Sequence, residues 1–149
     1  MEALPEHGKC FVCGSQNPYS MGIRWYANAD GEIYTRVTLT EAQQGPPGHA
    51  HGGATAAILD EAMGAAVWFA GHRVLAVNLN VDYKCPVPLS EEVGITARIS
   101  GKGEKSIHTT GELRLANGNV AVSGKGIYVE TPHFFDEHAA NPFNHQESG

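Results

Sequence analysis

The chain is short of three things, and each shortage excludes something. Three cysteines, Cys10, Cys13 and Cys85, stand among 149 residues, and an odd count of three does not build a disulfide framework. Ten Lys and Arg face sixteen Asp and Glu, a formal net charge of -6, so the clustered basic surface that grips phosphate backbones is missing and nucleic acid is excluded as a partner. No apolar run reaches the roughly 20 residues of a membrane span, and Met1-Glu2-Ala3-Leu4-Pro5-Glu6 has neither the basic nor the apolar block of a secretion signal. The expectation is a cytoplasmic protein in a reducing compartment, away from membranes, with small-molecule or protein partners.

What is present suffices for one globular domain: 42% of the residues are hydrophobic and 17% charged. Residues 1–21 mix Pro, Gly, His and Cys without period and read as an irregular arm. Turn chemistry at Asn28-Ala29-Asp30-Gly31 between residues 22–28 and 32–40 predicts a β-hairpin, and residues 43–48 read as a loop. Residues 53–70 are apolar on nearly every face, which predicts a buried helix, with Gly71 placed to stop it. Leu75, Val77, Leu79, Val81 and Tyr83 then alternate with polar or small residues in period two, the strongest strand pattern in the chain.

Two more alternating segments, 93–99 and 107–115, lead through Asn117-Gly118 to a last strand near residues 119–130. The reading is α+β, an antiparallel sheet wrapped around one long helix over residues 22–131, followed by a polar tail at 132–149 that frays. One helix covers part of one sheet face, so self-association is expected to bury more.

The chemistry concentrates at the start and middle of that helix. The first amides of a helix lack partners and carry partial positive charge, so Gly52 and Gly53 at its start let a carbonyl oxygen or anion approach closely; alternatively they merely turn the chain. His51 suits a cap, a base or a ligand, with the structural cap favoured. His49 and His51 alone do not make a zinc site, which needs three or four donors. Asp60 and Glu61 interrupt the apolar run, a cost usually tied to catalysis or tight pairing.

Their side chains diverge by about 100° around the helix, so at most one serves a given site. Asp60 shares its face with Ala56, Ala57, Met63, Gly64 and Val67, a small-residue stripe suited to a ligand or another helix, whereas Glu61 shares Ala57, Ala65 and Trp68 and suits a structural contact. Gly52 and Asp60 lie roughly 12 Å apart along the helix axis at about 1.5 Å per residue. Acting on one carbonyl, they come from two subunits.

These residues resemble the hotdog-fold acyl-CoA thioesterases of the PaaI-like group, in the 4-hydroxybenzoyl-CoA thioesterase superfamily. The resemblance is carried by Gln44-Gly45, Pro47-Gly48, His51-Gly52-Gly53 and Asp60, then Asn80-Val81-Asp82-Tyr83 with Pro86, and in the arm Cys10-Phe11-Val12-Cys13-Gly14 with Asn17-Pro18 and Gly22. It implies a homodimer with antiparallel helices, often paired into a tetramer, acting on an acyl-CoA without a cofactor. It further implies that the Gly52 N–H polarises the thioester carbonyl while Asp60 of the partner subunit acts as general base or nucleophile. The same resemblance implies that Gln44 helps to orient the carbonyl or water, with His51 and Gly53 at the substrate.

Such proteins often carry Ser or Thr where this chain has Ala76. By periodicity Asn78 lies on the same face and is the expected substitute. A non-hydrolytic acyl-CoA binder or sensor, and a hydratase or dehydratase using His51 with Asp60, are the alternatives. Cys10 and Cys13 are expected to pack rather than bind metal; zinc, with His7 as a third ligand, is the competing reading.

Overall fold

Residues 2–131 are described by the structure, a computed structural model; the expected tail at 132–149 lies outside the described residues. Seven strands form one antiparallel sheet: β1 (Glu2–Ala3), β2 (Tyr26–Ala27), β3 (Ile33–Thr38), β4 (Val74–Tyr83), β5 (Glu92–Lys102), β6 (Ser106–Arg114) and β7 (Val120–Glu130). Their order in space is β1-β2-β3-β5-β6-β7-β4, so β4, the first strand after the helix, lies at the far edge. The helix α1 (Gly52–Phe69) packs across the inner face of this sheet.

The helix begins and ends where its chemistry dictates. His51 caps it with an extended backbone (φ -65°, ψ 135°), and its side chain accepts the Gly53 N–H. At the other end Gly71, at φ +99°, donates to the Trp68 carbonyl while His72 N–H reaches back to Val67, the paired bonds of a Schellman stop. Ile58, Leu59, Ala62, Met63 and Val67 are fully buried. Each of the larger side chains stabilises the fold by about 1.5–3 kcal/mol relative to exposure.

A furrow in the sheet accepts that face. The register aligns Gly111 of β6 with Gly124 of β7, and Gly126 lies two residues on. A methyl group on Gly111 would come within 3.2 Å of Met63, and one on Gly124 within 3.3 Å of Met63 and 3.4 Å of Leu59. The missing side chains let α1 settle close to the strands, so Leu59 and Met63 fill the space at interior density.

The helix is not buried all round, as its composition suggests. Ala56, Ala57, Asp60 and Gly64 stay half-buried, with the Tyr128 ring of β7 reaching Asp60 and Gly64. At the sheet edge Leu75, Val77, Leu79 and Tyr83 are exposed. An edge strand with open hydrogen-bonding groups and apolar side chains is a surface for pairing.

The arm is more ordered than its aperiodic sequence suggests. β1 pairs with β2, Leu4 N–H donates to Trp25, and Met21 and Ile23 donate to the carbonyls of Phe11 and Val12. The expected strand at 22–28 contracts to Tyr26–Ala27, with the Ile23 N–H given to the Val12 carbonyl and the Arg24 carbonyl accepting from Thr35 Oγ1. Val12, Cys13, Ile23 and Trp25 are buried, so the arm closes one end of the core.

Candidate active site

The start of α1 is a braced turn. Thr55 Oγ1 and Tyr83 Oη both donate to the Gly52 carbonyl, at 2.9 and 2.7 Å. The Gly53 N–H on the same peptide donates to His51 Nδ1 at 2.8 Å. The 52–53 peptide is therefore held from both sides. His51 Nδ1, as acceptor, carries no proton, which leaves the ring proton on Nε2.

The two glycine amides thus differ. Gly53 N–H is taken by the cap, whereas Gly52 N–H finds no acceptor among the described residues and keeps the unpaired donor character of a helix start. The loop that precedes it is rigid. His51 N–H donates to Gln43 at 2.7 Å, and Gln44 Oε1 accepts from Gly48 N–H at 3.0 Å, while a methyl group on Gly45 would come within 2.7 Å of His51 Cα. Gln44 is exposed, and its side-chain NH₂ has no acceptor among the described residues. Gly52, Thr55, Tyr83, His49 and Pro46 border a cleft of about 370 Å³.

Asp60 is two turns further along on the half-buried stripe. Tyr128 Oη donates to its carboxylate Oδ1 and to its backbone carbonyl, both at 3.0 Å. Burial raises the Asp60 pKa above the usual carboxylate range; the Tyr128 hydrogen bond partly offsets this, and the adjacent Glu61 charge adds to the rise. Tyr128, buried and facing that charge, is raised as well. The role of Tyr128 escapes a reading by composition. Its trace in the sequence is Gly124, Gly126 and Tyr128 at i, i+2 and i+4, two gaps followed by one long polar-tipped ring on a single strand face.

The register of β4 changes the reading of Ala76 and Asn78. Ala76 pairs with Tyr128, then Val77 is skipped as a bulge and Asn78 pairs with Ile127. Paired residues share a face, and a one-residue bulge reverses the alternation. Ala76 therefore faces the helix beside Tyr128, whereas Asn78 points to the opposite side. The expected substitution of Asn78 for a hydroxyl at position 76 fails on this geometry.

Glu61 faces the arm. Its Oε2 lies 3.1 Å from Cys13 Sγ, 3.5 Å from Cys10 Sγ and 3.4 Å from His7 Nδ1. Burial opposes its charge, but hydrogen bonds from His7 and Cys13 outweigh it and hold the Glu61 carboxyl below its ordinary range. Glu61 is thus the structural contact its helix face predicts, with partners the sequence places 48 or more residues away.

A family model for the thioesterase superfamily matches residues 47–122, just over half of the chain and including Gly52 and Asp60. Acyl-coenzyme A thioesterase THEM4 of Xenopus laevis is 35% identical over 71 residues, which cover 48% of this chain and 32% of the relative. THEM4 of Bos taurus is 33% identical over 92 residues, 62% of this chain and 35% of the relative. The chain spans about a third of the length of these relatives.

Among solved structures, a thioesterase superfamily protein superimposes with a TM-score of 0.80 at 34% identity, covering 83% of this chain and 61% of that one. The E. coli PaaI protein shares the fold, with a TM-score of 0.69 at 18% identity over 74% of this chain and 80% of that one. A sheet wrapped around one helix, a glycine-led helix start and a family match across both therefore lead to one assignment: the chain belongs to the thioesterase superfamily and has the hotdog fold.

Proposed function

We propose that the chain hydrolyses an acyl-CoA thioester to free acid and thiol at sites shared between two copies of itself. The observation that carries this reading is the unpaired Gly52 N–H next to the 52–53 peptide, which is held from both sides, followed on the same helix by a half-buried carboxylate that it cannot reach. The names of the THEM4 relatives support the substrate class.

The chemistry follows from charge development. As water adds to the thioester carbon, the carbonyl oxygen becomes an oxyanion, and Gly52 N–H is aimed at it from the positive end of α1. Asp60 of the partner subunit takes the proton of that water and returns it to the departing thiolate; direct attack by the carboxylate is the variant of the same step. One amide donor contributes about 10²–10³ in rate and a general base about 10²–10⁴. We assign the His51 Nε2–H and the Gln44 side-chain NH₂, both on exposed residues just before Gly52, as further donors. Since Gly53 N–H is committed to the cap, Gly53 acts through the close approach its bare Cα permits.

The two-copy arrangement is supported by what one chain leaves open. Ala56, Ala57, Asp60 and Gly64 form a small-residue stripe on which an antiparallel copy of α1 fits, and β4 offers an unpaired edge with Leu75, Val77 and Leu79 exposed. Such packing brings Asp60 of one copy towards Gly52 of the other. Tyr128, directly across from Ala76, supplies the hydroxyl that position 76 lacks and holds the Asp60 carboxylate in place.

The test is thiol release from a panel of acyl-CoAs, short, long and aromatic. Asp60→Asn is expected to lower kcat by about 10²–10⁴ while the dimer persists in sedimentation. Wild-type turnover in that variant overturns the assignment of Asp60. Ala76 is the feature favouring a non-hydrolytic binder, and ligand-induced stabilisation without thiol release by the wild type would establish that reading instead.

A further inference from the structure

We propose that His7, Cys10, Cys13 and Glu61 form a zinc site that fastens the arm to α1. Four donor types from two distant segments converge here, with one ligand atom from each lying within 4.8 Å of all the others. The three measured separations to Glu61 Oε2, 3.1, 3.4 and 3.5 Å, are close to the edges of a tetrahedron. Bonds of about 2.0–2.1 Å to nitrogen or oxygen and about 2.3 Å to sulfur give edges of roughly 3.3–3.8 Å. Thiolate, imidazole and carboxylate together suit borderline-soft zinc.

The backbone around the cysteines is built as a knuckle. The segment reads His7-Gly8-Lys9-Cys10-Phe11-Val12-Cys13-Gly14, with two residues between successive donors. Cys10 N–H donates to His7, Gly14 N–H to the Cys10 carbonyl at 2.9 Å, and Val12 N–H to Cys10 Sγ at 3.3 Å. An amide aimed at a sulfur orients a ligating thiolate and spreads its charge. A methyl group on Gly14 would come within 2.4 Å of the Gly8 carbonyl oxygen and 2.5 Å of Cys10 N, so the turn closes this tightly only with glycine.

The surroundings are sheltered without being sealed: the His7 and Glu61 side chains are 16% and 18% exposed, and Cys13 is buried. A purely packing role explains a buried Cys13. It does not explain why an imidazole and a second sulfur meet the same carboxylate, a task one Arg or Lys performs with stronger bonds. Binding displaces the protons that the cluster holds, and the cation then faces two thiolates, one carboxylate and a neutral imidazole. The site is spatially distinct from the proposed hydrolytic one, because its donors lie on the arm side of the helix.

The test is metal analysis of the whole chain, purified under reducing conditions and reconstituted with zinc, alongside cobalt substitution. About one equivalent of zinc per chain is expected, with thiolate-to-cobalt charge-transfer bands and tetrahedral ligand-field absorption in the cobalt form. The Cys10→Ser/Cys13→Ser double variant loses the metal, and Glu61→Gln, which keeps size and hydrogen-bonding capacity, weakens zinc binding by more than about tenfold. Less than about a tenth of an equivalent in the reduced wild type, or retention of zinc by the double variant, overturns the proposal. Should the double variant not fold, the cobalt spectrum of the wild type decides: without thiolate bands, the site is refuted.

Discussion

Asp60 and Glu61 are adjacent carboxylates on one helix, and the fold gives them opposite surroundings. Asp60 looks across an uncovered small-residue stripe, touched by the single hydroxyl of Tyr128, and burial drives its pKa up. Glu61 looks into the arm, where His7, Cys10 and Cys13 close around it and its pKa falls. Both are partly withdrawn from water, so burial alone does not separate them. Partners do: Asp60 keeps few, which suits the proton transfer proposed for it, whereas Glu61 is held by several.

The sharpest way to break this contrast is to neutralise each acid in turn. Asp60→Asn is expected to reduce kcat by about 10²–10⁴ with little change in melting temperature. Glu61→Gln is expected to do the reverse, lowering melting temperature and zinc content while thiol release persists. Equal losses of kcat in the two variants would erase the division of labour.

A smaller effect is expected from Tyr128→Phe, which removes the hydroxyl from a half-buried carboxylate. The loss is about 1.5–3 kcal/mol, the range for a hydrogen bond to a charged group, and falls on kcat more than on KM because Tyr128 positions Asp60 rather than touching substrate. Steady-state kinetics beside urea unfolding separate the two readouts; an effect confined to unfolding shows Tyr128 to be purely structural. Least costly is His51→Ala, which forfeits the helix cap for about 1 kcal/mol and frees Gly53 N–H. Its measured unfolding free energy should fall by that amount, and an unchanged value would show that the cap contributes nothing.

Much of the helix was legible in the sequence. Residues 53–70 were expected and Gly52–Phe69 is found, because apolar composition, a capping side chain before the start and a glycine after the end are local signals. The period-two pattern placed β4, yet its uniform alternation concealed the Val77 bulge, which depends on how β4 pairs with β7 and moves Asn78 to the far face. The arm's sequence is aperiodic because its order comes from contacts with β2 and α1 rather than from periodicity. Tyr128 and the glycine furrow are not legible locally for the same reason: Gly111, Gly124 and Gly126 acquire meaning when two strands lie side by side under Met63.

The sequence by itself determined the elements and their chemistry: a glycine-led helix start, two acids diverging by about 100° around its axis, and a spacing of roughly 12 Å that keeps Gly52 and Asp60 from acting together within one chain. Helical geometry requires those relations whatever the rest of the molecule does. Tertiary structure decided what each direction meets. Tyr128 reaches Asp60 across 68 residues, and Cys10 and Cys13 reach Glu61 across 51 and 48. No local propensity encodes such meetings, since they follow from strand register and from the folding of the arm onto α1.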